Sequence, residues 1–186
     1  MARALVITGP SGVGKGTLIR SLLERMPELQ LSVSATTRAP RAGETPGVDY
    51  HFLSPEQFEQ HIAAGEFLEH AAYSGNRYGT VRSEVERRLE AGRSVVLEIE
   101  VQGARQVRET MPEAVQVFIA PPSVEALRAR LIGRGTDDPA QIEARLRTAE
   151  RELEAQGEFD HIVVNDRLED AVEELVAIVA AATAQA

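Results

Sequence analysis

Apolar residues along this chain fall into short unbroken runs, separated by longer stretches where they return every three or four positions. Ala4-Leu5-Val6-Ile7, Ser94 to Glu100, Val115 to Ala120 and His161-Ile162-Val163-Val164 are runs of the first kind, rich in β-branched residues. Runs without polar alternation predict strands buried on both faces. Leu31-Ser32-Val33-Ser34 alternates and predicts one further short strand. Leu18, Ile19, Leu22 and Leu23 share a face of a helix predicted over Lys15 to Arg25 and closed by Met26-Pro27. Other helices are predicted around Ala104 to Glu109, from a Ser123 cap to Ile132, from Pro139 to Gln156, and from Leu168 to Ala180. The last has Val172, Leu175, Val176 and Val179 on one side, and the Ala-rich tail after it is expected to fray. Buried strands alternating with helices predict an α/β fold whose core is a parallel sheet with helices on both faces.

The middle of the chain has a different texture. Thr36 to Gly47 is rich in Arg, Pro, Thr and Gly and shows neither period, and a loop of this length in a compact chain is usually functional or disordered. Asp49 to Leu53 reads as a strand, Ser54-Pro55 as a helix start with Phe58, His61 and Ile62 on its apolar side, and Gly65 to Tyr73 as another strand. Ser74 to Thr80 is expected to be a turn holding Tyr78 and Gly79, and Val81 to Leu89 a charged helix ended by Gly92. These features predict one domain with a core at about 1–35, 93–123 and 158–186, an insertion with its own small sheet at about 36–90, and a polar helical flap at about 124–157.

The junction after the first strand carries the strongest chemistry. Gly9-Pro10-Ser11-Gly12-Val13-Gly14-Lys15-Gly16-Thr17 lies between a strand and a helix, the setting of a phosphate-binding loop. Its glycines let backbone N–H groups converge on phosphate oxygens, and the helix start adds partial positive charge. Lys15 supplies an ammonium for the β- and γ-phosphates. The usual pattern has Ser or Thr after the lysine as a Mg²⁺ ligand, whereas here Gly16 stands there and the hydroxyl comes one residue later, at Thr17. Direct metal ligation is therefore not assigned, and Thr17 and Glu98 are placed near Mg²⁺ through water.

Composition narrows the function classes. Lys15 is the single lysine beside 19 arginines, so the compact flexible cation is kept where a phosphate site wants it. The apolar and charged fractions, 43% and 26%, suit a globular protein. A net charge of −9 argues against general nucleic-acid or anionic-membrane binding. With no cysteine there is no disulfide framework, thiol catalysis or Cys-type zinc site. No signal pattern or membrane-length apolar run is found, so a cytoplasmic protein is expected. The four histidines, His51, His61, His70 and His161, show no ligand spacing and are read as structural or surface residues.

Ligands of open α/β sheets bind beyond the carboxyl ends of the strands, where the remaining polar candidates fall. Glu98 and Glu100, two apart on a predicted strand, would point the same way and offer an acidic partner to Mg²⁺. Arg38 and Arg41 share a loop with Glu44, and with Tyr50 and Tyr78 they make a phosphate-holding set. Arg134 and Arg145 flank a Gly-rich break and suit a hinged flap that brings cations onto a transferring phosphoryl group.

Thr36 to Leu53 resembles the signature segment of guanylate kinases. So do Gly9 to Lys15, Tyr78-Gly79, Val101-Gln102-Gly103, Gly133 to Thr136 and Val164-Asn165-Asp166, so the resemblance spans nearly the whole chain. It implies a P-loop parallel-sheet core, an inserted GMP-binding subdomain and a small arginine-bearing helical lid. It implies an ATP:GMP phosphotransferase working with Mg²⁺. By motif, Ser34, Glu69 and Thr80 would face the guanine, with Gly79, Glu98 and Glu100 at the same site. Arg38, Arg41, Tyr50 and Tyr78 would hold the GMP phosphate, with Glu44 beside them. Residues 9 to 17 would wrap the ATP phosphates, Arg134 and Arg145 would close on the transferring group, and Asn165 would lie near the adenine. Guanylate-kinase-like domains of scaffold proteins, which bind protein partners without catalysis, are the alternative. A related kinase acting on another phosphorylated acceptor is a third reading.

Overall fold

The structure, a computed structural model, describes residues 2–73, 75–133 and 138–184. In chain order its elements are β1 (Ala4–Thr8), α1 (Lys15–Arg25), β2 (Gln30–Leu31), β3 (Ser34–Thr36), β4 (His51–Phe52), α2 (Pro55–Ala63), β5 (Phe67–Tyr73) and β6 (Asn76–Val81). There follow α3 (Arg82–Glu90), β7 (Val95–Glu98), α4 (Val101–Thr110), β8 (Val115–Ala120), α5 (Val124–Gly133) and α6 (Pro139–Glu154). A 3₁₀ turn over Ala155–Glu158, β9 (His161–Val164) and α7 (Leu168–Ala184) complete the chain.

Five strands form a wholly parallel sheet in the order β2-β7-β1-β8-β9. The side chains of β1, β7 and β8 alternate between two apolar layers, which is why these strands read as apolar runs. On β1, Ala4 and Val6 join Leu97, Phe118, Ala104 and Val107 on the α4 face. Leu5 and Ile7 join Val96, Leu18, Leu22 and Leu175 on the α1 and α7 face. The central strand β1 thus delivers the loop at Gly9 to the middle of the sheet's carboxyl edge.

A second sheet has the order β4-β3-β6-β5 and packs Phe58 of α2 against Ala35 and Phe67. Ser54 caps α2 with a reciprocal pair, its hydroxyl accepting from Gln57 N–H at 3.2 Å and its own N–H donating to Gln57 Oε1 at 2.8 Å. Asp138 and Gln141 repeat this device at α6. Helices α5 and α6 share a small core of their own, Leu127, Leu131, Ile142, Leu146 and Ala149. No helix among the described residues is long and apolar enough to cross a membrane.

Five expectations are corrected. Strand β9, read as buried on both faces, lies at the sheet edge and is covered on one face only: Val163 packs into the α1 and α7 layer, while Ile162 and Val164 are 42% and 48% exposed. The segment read as one strand, Leu31 to Ser34, is divided: Gln30–Leu31 pairs with β7, while Ser34–Thr36 pairs with β4 and β6 of the other sheet. Ser32 N–H still reaches Val96 O at 2.9 Å, and the chain leaves the main sheet immediately after. The turn expected at Ser74 to Thr80 is largely strand β6, because the antiparallel partners β5 and β3 satisfy a backbone whose own residues favour turns; Ser74 lies outside the described residues. The helix expected to begin at Ala104 starts at Val101, so Glu100 is its N-cap and does not share a strand with Glu98. The Ala-rich tail continues α7 to Ala184, as alanine's high helix propensity allows.

Candidate active site

The phosphate loop is shaped by close contacts. A Cβ at Gly9 would overlap the Ile119 carbonyl oxygen, so the loop leaves β1 pressed against β8. Gly14, the N-cap of α1, has φ +99°, and a Cβ there would stand 2.8 Å from Asn165 Nδ2. Gly14 has no side chain with which to cap α1, so the first-turn N–H groups are available to an anion. Lys15 Nζ donates to the Gly9 carbonyl across the loop. Val13 O accepts from Asn165 Nδ2 at 2.7 Å and from Arg130 Nη1 at 3.1 Å, while Arg130 Nη2 reaches Asn165 O at 2.7 Å. Asn165 therefore spends its amide N–H on the loop beside a cavity of about 310 Å³ that it shares with Gly12, Gly14, Thr17 and Arg130.

A second cavity, about 300 Å³, holds Pro10, Ser11, Lys15, Gly16 and Thr17 against Glu98 and Glu100. These two acids also wall a third, about 360 Å³, between the two sheets. Glu98 and Glu100 meet the same space by different routes, one from a strand end and one from a helix cap. Glu98 is solvent-exposed at the strand end, yet desolvation by the surrounding cavity walls pushes its carboxyl up, opposed by the Lys15 ammonium and reinforced by Glu100.

In the third cavity Ser34, Arg38, Arg41, Glu44, Tyr50 and Tyr78 come together with Glu69. Arg38 Nη2 bonds Glu44 Oε1 at 2.7 Å, and its guanidinium carbon lies 5.2 Å from the Tyr50 ring centre. Arg41 N–H donates to Glu44 Oε2 at 2.7 Å, so Glu44 ties both arginine positions together. The Arg38 bond holds the Glu44 carboxyl below its ordinary range, and Glu44 in turn holds Arg38 above its own. The Tyr50 and Tyr78 rings meet edge-on at 6.1 Å, and burial raises the Tyr50 phenol.

Glu69 stands at the back of this cavity, 5% exposed, and its Oε1 accepts from the Thr80 hydroxyl at 2.7 Å. Burial pushes its carboxyl up to about 7 against the Thr80 hydrogen bonds, with Glu100 adding repulsion. Gly79 does not line the cavity. Thr80, 1% exposed, does not line it either and meets the site through its hydroxyl bond to Glu69, while strand alternation turns Tyr78 into the cavity and puts Gly79 beneath Phe67, 3.0 Å from where its Cβ would be.

Arg145 lies over the loop on α6, in a cavity of about 350 Å³ with Ser11, Tyr73, Gln141, Thr148 and Glu152. Arg134 lies outside the described residues. Glu152, Arg130 and Tyr73 were not singled out in the sequence. Glu152 is seven residues after Arg145, two turns along one helix face, a spacing that could have found it. Burial and the neighbouring Glu100 push its carboxyl up, opposed by Lys15 and the Ser11 backbone. Tyr73 walls both the Arg145 and the Glu69 cavities.

A phosphate loop on the central strand of a parallel sheet, facing a small sheet with an Arg–Tyr cluster and a helix pair bearing arginine, defines the P-loop nucleotide kinase class. The family model described as guanylate kinase matches residues 1–182, and the chain belongs to the guanylate kinase family. It is 57% identical to the guanylate kinase of Synechococcus sp. (strain CC9311), covering 94% of this chain and 92% of that one. It is 52% identical to that of Thermobifida fusca (strain YX), covering 98% and 93%. Among solved structures, the guanylate kinase of Anaplasma phagocytophilum superimposes with a TM-score of 0.78 at 36% identity, covering 97% of this chain and 85% of that one.

Proposed function

We propose that this chain transfers the γ-phosphoryl group of ATP to GMP, giving ADP and GDP. One observation carries the choice of acceptor: the buried Glu69 carboxylate shares a cavity with the Arg38, Arg41, Tyr50 and Tyr78 cluster. Guanine offers adjacent N1–H and N2–H₂ donors that one carboxylate accepts together, and adenine offers no such pair. A wrong base leaves Glu69 buried and unpaired, the kind of site that discriminates strongly. At the other end, the arginines and phenols suit the GMP phosphate.

A GMP phosphate oxygen attacks the γ-phosphorus, and the bond from that phosphorus to the β,γ-bridging oxygen breaks, releasing ADP. The attacking oxygen is already anionic, so no strong base is needed, and catalysis is positioning and charge neutralisation. Lys15 and the loop N–H groups hold the ATP phosphates. Arg145 approaches the transferring group, Arg134 is assigned the same role from its sequence motif alone, and closure of the helix pair bearing Arg145 excludes water that would otherwise hydrolyse ATP. Asn165 and Arg130 border the adenine side.

Mg²⁺ fits the donors around the loop as an ion held chiefly by phosphates and water. Among the described residues no group of three or more acidic or histidine side chains could hold a metal, while Thr17, Glu98 and Glu100 share the loop cavity. When bound, the ion neutralises charge on the β- and γ-phosphates. The non-catalytic reading is disfavoured because Lys15 and the loop glycines keep a phosphate-binding arrangement. A coupled assay with ATP, Mg²⁺ and each of GMP, dGMP, AMP and UMP tests the proposal. GMP is expected to be turned over fastest, and the absence of turnover with all four would overturn it.

A further inference from the structure

Among the described residues strand β5 is an edge strand of the small sheet, with no strand partner on one side of its backbone. Helix α4, which belongs to the main core, covers that side. Gln106 grips His70 at both ends, Nε2 donating to His70 O at 2.8 Å and Oε1 accepting from His70 N–H at 3.0 Å. One turn on, the Thr110 hydroxyl donates to Leu68 O and to Gln106 O, each at 3.0 Å. One turn back, a Cβ at Gly103 would overlap Glu69 Oε2 and stand 3.0 Å from its carboxyl carbon. Gly103, Gln106 and Thr110, spaced as i, i+3 and i+7, thus form one stripe along Leu68, Glu69 and His70.

The held segment is irregular. Phe67 pairs with Val81 and Glu69 with Thr80, so Leu68 is an extra residue in the β5–β6 ladder. Such a bulge re-aims the side chains around it. Phe67 goes to the core of the small sheet, while Leu68 enters the main core beside Ala104 and Val107. Glu69 is left pointing between Thr80 and the first turn of α4, whose positive end also favours the carboxylate.

We infer that α4 positions the base-reading carboxylate: Gly103 makes room for Glu69, and Gln106 with Thr110 fixes the bulge that aims it. Gly103 and Gln106 are positioning residues that set nucleobase specificity. The inference rests on the proposed role of Glu69 and adds what holds that side chain in place. Alanine at Gly103 forces Glu69 away from its present position, and because alanine favours a helix, α4 itself is not weakened.

The test compares kcat/KM for GMP with that for IMP, which lacks the 2-amino group, and measures the KM for ATP alongside. The unmutated chain is expected to prefer GMP strongly. Gly103→Ala is expected to cut the GMP-to-IMP ratio by about tenfold or more while the KM for ATP stays put. Gln106→Ala is expected to cut it by a smaller factor, and it carries the same measurement if Gly103→Ala fails to fold. A double-mutant cycle with Glu69→Asp, whose shorter side chain leaves room for the new methyl, is expected to be non-additive. An unchanged ratio in a folded Gly103→Ala, or equal losses on GMP and IMP from either variant, overturns the inference. A wild-type chain that turns over no GMP overturns the proposed function instead, so the two failures are distinct.

Discussion

Lys15 and Glu69 mark the two ends of the proposed site, and each makes a prediction at the scale of one side chain. Lys15 is the chain's single lysine and already bridges the phosphate loop to the Gly9 carbonyl. Lys15→Met is expected to abolish phosphoryl transfer while leaving the circular dichroism spectrum unchanged; full activity would remove the loop from the mechanism. Glu69 has a carboxyl pushed up to about 7 by burial, so the unliganded protein binds more protons here than the unfolded chain does between about 4.5 and 7. Its contribution to stability therefore falls as pH rises through that window, by at most about 1.4 kcal/mol per pH unit. In the proposed role GMP binding runs the other way, because accepting from guanine requires the ionised carboxylate. Affinity for GMP is expected to strengthen as pH rises towards about 7 and then level off. Titration of Glu69→Gln by calorimetry should lack that limb, and any limb left in the variant belongs to the phosphate of GMP.

At the scale of elements, the loop–helix joint and the small sheet are built for different tasks and should fail differently. Gly14→Ala puts a side chain at φ +99° and against Asn165, and is expected to cost about 1–3 kcal/mol and to raise the KM for ATP. Ser54→Ala removes the reciprocal cap of α2 and is expected to cost about 1 kcal/mol with no change in the KM for ATP. Urea unfolding read beside steady-state kinetics separates the two. Equal kinetic effects from both substitutions would contradict the assignment of the loop to ATP.

At the scale of the molecule, three cavities share walls. Glu98 and Glu100 face both the loop and the space between the sheets, and Tyr73 joins that space to the flap bearing Arg145. ATP and GMP should therefore each stabilise the native fold. At about 100 times its dissociation constant, each ligand is expected to add about 2.7 kcal/mol, or roughly 5–11 °C in Tm for a chain of this size. Differential scanning fluorimetry measures this directly. In Lys15→Met the shift from ATP should shrink while that from GMP persists, and loss of both together would mean that the variant is misfolded.

What could be read from the sequence divides along the range of the forces involved. The β1–loop–α1 joint was legible in full, because apolar runs, glycine positions and a helix start are written in consecutive residues. The Arg38–Glu44 cluster and the Ser54 cap were legible for the same reason. The sequence by itself also determined β1, β7 and β8, since a strand covered on both faces is largely apolar, whereas β9 has the same apolar run and yet exposes Ile162 and Val164 at the sheet edge. Other features depended on distant partners. β6 is a strand because β3 and β5 satisfy its backbone, although its own residues favour a turn. Glu100 caps a helix, and Asn165 binds the Val13 carbonyl 152 residues away. Only the tertiary structure decided the aim of Glu69, because the bulge that directs it is held by Gln106 and Thr110 from another layer. Local propensity specifies elements, but the direction of a buried carboxylate is set by whichever groups from elsewhere in the chain satisfy the backbone around it.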